Sequence, residues 1–286
     1  MSERAEFGAR RPGAAGAASN ARSVWMAIAT GLGLGALVIG TLVAGRLAFF
    51  VLAFAIVLIA QAELYAVLKA AGYSPVALVG LVSGAVVLIG SYSRGISALA
   101  LGLVMPVPLL LLWGLTVPID RARSTFSSTY LGIVYGPFLV GFAVLILRGR
   151  DGIVLTPAFI GMTAFHDSGA YLIGRKIGRH KMAPKTSPAK TWEGFGAGTV
   201  VTVAASVAVL PFIHPFTFLL ALKLALVMSL SSPLGDLAES LIKRDLGVKD
   251  MGSLMPGHGG FFDRLDAIIF NAPIAYFVLR VLKWAP

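Results

Sequence analysis

Apolar runs of about twenty residues recur along nearly the whole chain, and the pattern between them is simple: short polar links, then two long polar islands late in the sequence. Runs of that length match the thickness of a bilayer core crossed by an α-helix. The pattern predicts nine membrane-spanning helices, at roughly 24–44, 47–68, 76–92, 96–117, 129–147, 153–174, 195–214, 216–235 and 267–284. Pro106 and Pro108 fall inside the fourth run and predict a kink there. The expected fold is therefore an all-α polytopic membrane protein. Residues 1–22, rich in Gly, Ala and Arg, read as a disordered tail. Residues 23–150 read as a scaffold of about five helices, and residues 151–286 as a unit of about four helices carrying both islands.

Composition agrees. Hydrophobic residues make up 57% of the 286 residues and charged residues only 13%, with a mean hydropathy of +0.85. The chain has no cysteine, which removes disulfides, thiolate nucleophiles and cysteine-ligated metals. The formal charge of +11 sits in loops rather than on one face of a soluble fold. It therefore favours anionic lipid headgroups or phosphorylated substrates and argues against nucleic acid.

The distribution of Lys and Arg sets an orientation. With the N-terminus on the cytoplasmic side, 17 of the 24 cations fall in cytoplasmic segments and 6 on the opposite side, Lys223 lying within a span. Both islands, 175–194 and 236–266, then face the cytoplasm and can share one site.

The second island carries the densest chemistry. Asp236, Glu239, Asp245, Asp250, Asp263 and Asp266 are six of the chain's thirteen acidic residues, interleaved with Lys243, Arg244, Lys249, His258 and Arg264. If the segment is helical, Asp236, Glu239, Lys243 and Asp250 lie on one stripe. Oxygen donors without cysteine suit a hard cation such as Mg²⁺. The run Pro256 to Gly260 interrupts any helix, and its glycines admit close backbone approach. The first island holds six cations between Arg175 and Lys190, with Gly174, Gly178 and Gly194 as flexible points suited to phosphates. An ordinary positively charged cytoplasmic loop has the same composition, but His166 and Asp167 at the end of a span require a partner or a wet cavity. Glu63, beside Lys69 near the end of the second run, reads as an interfacial carboxylate with no role of its own.

These residues carry a resemblance. Ser240, Lys243, Arg244, Lys249, Asp250, the run Pro256 to Gly260, Asp263, Arg264 and Asp266 match the long signature of phosphatidate cytidylyltransferases, the CDP-diacylglycerol synthases. Upstream, Asp167 to Arg179 and Ser187 to Gly194 resemble two further segments of that family, with Ala189 replacing a lysine common there. The resemblance covers residues 166–271; the first five runs match only in being hydrophobic. It implies the transfer of CMP from CTP to phosphatidate, giving CDP-diacylglycerol and pyrophosphate, with Mg²⁺ and room for a second cation. It also implies a homodimer in a bacterial inner membrane with its site open to the cytoplasm. On that footing Asp236 and Asp263 are expected to ligate the metal, with Asp250 and Asp266 in supporting roles. Lys243, Arg244, Lys249, His258 and Arg264 are expected to hold phosphates. Ser187, Lys190 and Thr191 are expected to bind the triphosphate or phosphatidate, with Asp167 and Tyr171 lining the site. Rival readings are a cytidylyltransferase acting on another lipid phosphate, and a transporter of anions or lipids, which would show inverted repeats and charges at mid-membrane.

Overall fold

The computed structural model describes residues 33–252 and 259–282. The expected N-terminal tail and His258 lie outside the described residues, as does part of the expected first span. What is described is a bundle of helices: α1 (Gly33–Ala44), α2 (Arg46–Ala70), α3 (Ala77–Arg94), α4 (Ile96–Val104), α5 (Pro106–Gly114), α6 (Ile119–Ile133), α7 (Leu139–Arg148), α8 (Gly152–Ile177), α9 (Trp192–Val209), α10 (Phe218–Asp245) and α11 (Phe262–Val281). Among the described residues six helical stretches are long and apolar enough to cross a membrane: Arg46–Ala70, Ala77–Arg94, Ile96–Gly114, Ile119–Arg148, Trp192–Phe212 and Phe218–Asp245. The protein is an all-α integral membrane protein.

Helices α8 and α11 coincide with the expected sixth and ninth spans but fall outside that apolar set. Their sequences explain why: α8 ends in HDSGAYLIGRKI and α11 begins FDRLD, so each spends its polar end on the site.

Two differences from the sequence reading have clear causes. Residues 119–128, expected to be a cytoplasmic link, are helical in α6. The hydroxyls that make RARSTFSSTY look like a loop turn back on the helix itself: Ser128 Oγ donates to the Ser124 carbonyl at 2.5 Å and Thr129 Oγ1 to that of Thr125 at 2.6 Å. The helix then runs through a single wide turn, Val134–Phe138, that accommodates Pro137 before α7. The first island, expected to be irregular, contains an antiparallel hairpin of β1 (Lys181–Ala183) and β2 (Ser187–Thr191).

The core is apolar, with Leu64, Leu88, Ile146, Leu147, Phe159, Leu224 and Tyr276 buried, while Val43, Leu115, Ile119, Phe212 and Val281 are exposed on the outside, where hydrocarbon would meet them. A hydrophobic effect is missing between helices in lipid, so close packing and buried hydrogen bonds must join them. Gly169 of α8 and Gly198 of α9 supply the first: a side-chain carbon on Gly169 would lie 3.3 Å from the Gly198 Cα. Asn271 of α11 supplies the second, donating from Nδ2 to Thr163 Oγ1 of α8 at 2.8 Å and to Ser232 Oγ of α10 at 2.9 Å. Farther forward, Gln61 donates to Tyr65 Oη at 3.1 Å and to the Gly80 carbonyl at 2.9 Å, and Tyr65 donates to the Thr129 carbonyl at 2.8 Å, locking α2 to α3 and α6.

Replacing Asn271 by Ala should lower the thermal stability of the detergent-solubilised protein, by about 1–3 kcal/mol for the hydrogen bonds and desolvated partners left behind. The midpoint of thermal unfolding checks this; an unchanged midpoint would mean that the three helices are held by packing alone.

Candidate active site

The polar ends of α8 and α10, the start of α11 and the hairpin meet at one end of the bundle. Between α8, the hairpin, α9 and α10 lies a cavity of about 560 Å³. Its walls include Asp167, Tyr171, Ser187, Lys190, Thr191 and Asp236, all expected from the sequence, together with His166, Arg175, Lys181 and Phe195.

The decisive contact joins the two islands. Lys190 at the end of β2 places Nζ 2.5 Å from Asp236 Oδ2 and 3.4 Å from the Pro233 carbonyl. The hairpin is itself anchored at both ends: Thr191 caps α9 by accepting from the Gly194 amide at 3.2 Å, and Arg244 of α10 reaches the Thr186 carbonyl at 3.4 Å. Glu193 takes the amides of Arg179 and His180 and the His180 ring, so that α9 holds the strand entry. Gly174, Gly178 and Gly194 are not flexible points, as the sequence suggested, but close-packing points. A side-chain carbon on Gly178 would lie 2.5 Å from Thr191 Oγ1, and one on Gly174 would lie 3.0 Å from the Gly194 Cα.

Behind Asp236 the carboxylates accumulate. Asp236 interacts electrostatically with Asp266 and Asp167, and Glu239 lies against both Asp266 and Asp263. Lys243 offsets part of this charge, with Nζ 2.9 Å from Glu239 and 3.0 Å from Asp263 Oδ1. Asp263 is the most fully satisfied member. It accepts from Lys243, from the Met251 amide at 3.1 and 3.0 Å, and from the Gly260 amide at 2.9 Å. Those contacts use the lone pairs that a carboxylate offers, so Asp263 organises the second island as it stands. Asp266 has spare acceptor capacity, with one backbone donor, Ala267 N, at 2.8 Å.

The remaining expected residues scatter. Lys249 and Asp250 are exposed and are not among the cavity's walls. Arg264 lies on the other side of α11, along an apolar cleft of about 250 Å³ with Phe261, Leu265 and Ile268. The helical spacing accounts for this: 261, 264, 265 and 268 share one stripe, while 263 and 266 face away from it.

A sequence profile of the cytidylyltransferase family matches residues 25–282. The chain belongs to the cytidylyltransferase family. Relatives include the phosphatidate cytidylyltransferase of Mycobacterium leprae, 32% identical over 279 residues that cover 91% of this chain and 89% of that protein. The phosphatidate cytidylyltransferase of Mycobacterium bovis is 30% identical over 96% of this chain and 94% of its own length. That of Bacillus subtilis is 36% identical over 162 residues, 56% of this chain and 58% of the relative.

Three residues at this cytidylyltransferase site carried no assigned role in the sequence. Glu239, fully buried, stood on the predicted acidic stripe, and that spacing was its signal. Tyr135, in the wide turn between α6 and α7, stacks on Phe262 with ring centroids 5.6 Å apart; only the adjacent Gly136–Pro137 hinted that the helix was irregular there. Glu63 of α2, read as interfacial, is buried against the start of α11, its Oε2 accepting from the Phe262 amide at 3.1 Å.

Donor chemistry fits a hard cation, since the clustered groups are carboxylates and hydroxyls. No three of them are already set around one point among the described residues, so a cation would have to draw them together.

Lys190→Met should leave Asp236 without its cation, lowering stability by about 1–3 kcal/mol and abolishing most activity. Adding Asp236→Asn should restore stability but not turnover. Unfolding midpoints and initial rates of the single and double variants separate the two effects; additive stability losses would show that the pair is not coupled.

Proposed function

We propose that this chain is a phosphatidate cytidylyltransferase, transferring CMP from CTP to phosphatidate with release of pyrophosphate. The observation that carries this reading is the Lys190–Asp236 contact, because it makes one polar chamber out of the two islands through residues 46 positions apart. In the same reading nine spans cross the membrane with the N-terminus inside, and the chamber opens to the cytoplasm of a bacterial inner membrane. Residues 151–286 form the catalytic half. The protein works as a homodimer.

The chemistry asks for little from a general base. A phosphate oxygen of phosphatidate, already anionic at neutral pH, attacks the α-phosphorus of CTP. The new oxygen–phosphorus bond forms as the bond to the β-phosphate oxygen breaks, and the electron pair leaves with pyrophosphate. The barrier comes from bringing two polyanions together and from charge developing on the leaving group, so positioning and electrostatics supply the catalysis. Lys190, Arg175 and Lys181 bring positive charge to the chamber's walls, and Thr191 and Ser187 offer hydroxyls beside them. Tyr171 is exposed at the rim. The lipid keeps its chains in the bilayer while its headgroup enters at the level where α8 and α10 become polar.

Mg²⁺, when bound, would neutralise phosphate oxygens and stabilise the leaving pyrophosphate. Asp236 and Asp266 are best placed to hold it, with Glu239 and Asp167 at hand for a second cation. Asp263, expected as a ligand, joins only if it releases one of the donors it now accepts. Lys243 then sets the charge balance among Glu239, Asp263 and the metal.

Purified protein incubated with phosphatidate, Mg²⁺ and CTP labelled at the α-phosphate should place label in the organic phase. Label at the γ-phosphate should stay aqueous. Absence of α-label from the lipid fraction would defeat the proposal. Asp236→Asn should reduce the rate by about two orders of magnitude or more, and Asp266→Asn should do likewise while the protein still inserts. An Asp266→Asn enzyme with normal turnover at limiting Mg²⁺ would remove that residue from the ligand set.

A further inference from the structure

We infer that Glu63, outside the motifs that carry the sequence resemblance, is a positioning residue for the active site. Its buried carboxylate sets the start of α11 and thereby the register of Asp263 and Asp266. The inference rests on the cytidylyltransfer reading of the site, and its test includes a measurement that does not.

Three observations meet at this carboxylate. First, Glu63 is 7% exposed and comes from α2, 199 residues before its hydrogen-bond partner, the Phe262 amide. Phe262 is the first residue of α11, so its amide is one of the donors a helix leaves unpaired at its beginning. A carboxylate there satisfies the donor and meets the positive end of the helix dipole.

Second, the second island's backbone is wrapped around the same group. A side-chain carbon on Gly252 would collide with the Glu63 carboxylate, and one on Gly260 would lie 2.7 Å from Oε2. Only glycine at both places lets Met251 and Gly260 turn their amides to Asp263. Glu63 and Asp263 thus hold the two ends of the island from opposite sides, one binding the amide of residue 262 and the other those of residues 251 and 260.

Third, the neighbouring scaffold helix grips the same residue, since the Tyr135 ring stacks on that of Phe262. Placing a carboxylate in a buried, apolar setting is costly. A role in packing alone would be served by Leu without that cost; what Leu lacks is an acceptor for the Phe262 amide. Here the group acts as a fixed acceptor that neighbours the acidic cluster without belonging to it: Glu63 touches the backbone that carries Asp263 and Asp266, not the substrates.

Rotation of α11 by a fraction of a turn would move Asp266 away from Asp236. Loss of Glu63 should therefore lower kcat by roughly 10- to 100-fold and raise the Mg²⁺ concentration for half-maximal activity, with little change in the KM for CTP. Glu63→Gln keeps the shape and an acceptor oxygen for Phe262, and should retain most activity; Glu63→Ala should not. Gly252→Ala, which intrudes on the carboxylate while leaving it in place, should reproduce the Glu63→Ala phenotype. The double variant Glu63→Ala/Gly252→Ala should be no worse than either single change, because both act through one contact.

Hydrogen–deuterium exchange of the segment 259–266 gives the readout independent of turnover: it should accelerate in Glu63→Ala and stay slow in Glu63→Gln. Normal kcat, Mg²⁺ requirement and exchange in Glu63→Ala would overturn the inference. So would a Glu63→Gln enzyme as inactive as Glu63→Ala with exchange unchanged, which would make the charge itself chemically active. If Glu63→Ala does not insert, Gly252→Ala decides: normal Mg²⁺ dependence and exchange there overturn the inference. If the wild type transfers no CMP, the functional reading fails, and exchange alone still tests the hold of Glu63 on α11.

Discussion

Carboxylates of like charge, drawn together at one end of an apolar bundle, are the constraint on which the rest of the structure depends. Asp236, Glu239, Asp263 and Asp266 come from two helices and Asp167 from a third, and burial makes their mutual repulsion expensive. Every neighbouring element contributes compensation. The hairpin brings Lys190 to Asp236, α10 brings Lys243 to Glu239 and Asp263, and the backbone of the second island turns amides 251 and 260 to Asp263. The basic side chains on the chamber's walls, Lys190, Arg175 and Lys181, complement a substrate made of phosphates.

Polar and small residues are placed to hold this cluster. Glycines at 174, 194 and 198 bring α8 and α9 into direct backbone contact, and Gly178 admits the Thr191 side chain at the end of the hairpin, which fixes Lys190 over the carboxylates. Asn271 ties α11 to α8 and α10 just beyond them. Rigid helices rather than loops carry Asp167, Asp236 and Asp266, so the backbone positions of these groups are fixed.

The front half of the chain also reaches the start of α11. Its hydrogen-bonded pairs, Gln61 with Gly80 and Tyr65 with Thr129, lock α2 against α3 and α6. That lock holds Glu63, two residues along α2 from both Gln61 and Tyr65, in line with the start of α11. The wide turn at Val134–Phe138 likewise places Tyr135 against Phe262. The carboxylate cluster and the side chains that brace the start of α11 thus come from opposite halves of the sequence.

By itself the sequence determined the membrane class, the placement of most helices, the two islands and the family, because each depends on local periodicity or on fixed spacing within a short stretch. The stripe of Asp236, Glu239 and Lys243 was legible for the same reason: helical geometry puts residues three and four apart on one face. Tertiary structure alone decided which side chains meet. Lys190 finds Asp236, Asp263 is consumed by the amides of residues 251 and 260, and Arg264 lines an apolar cleft. Glu63 marks the limit most clearly. Next to Lys69 in an apolar run it looked like any interfacial carboxylate, and nothing local distinguishes it. Its role comes from an amide 199 residues later, a pairing set by the packing of α2 against α11 that no pattern along the chain encodes.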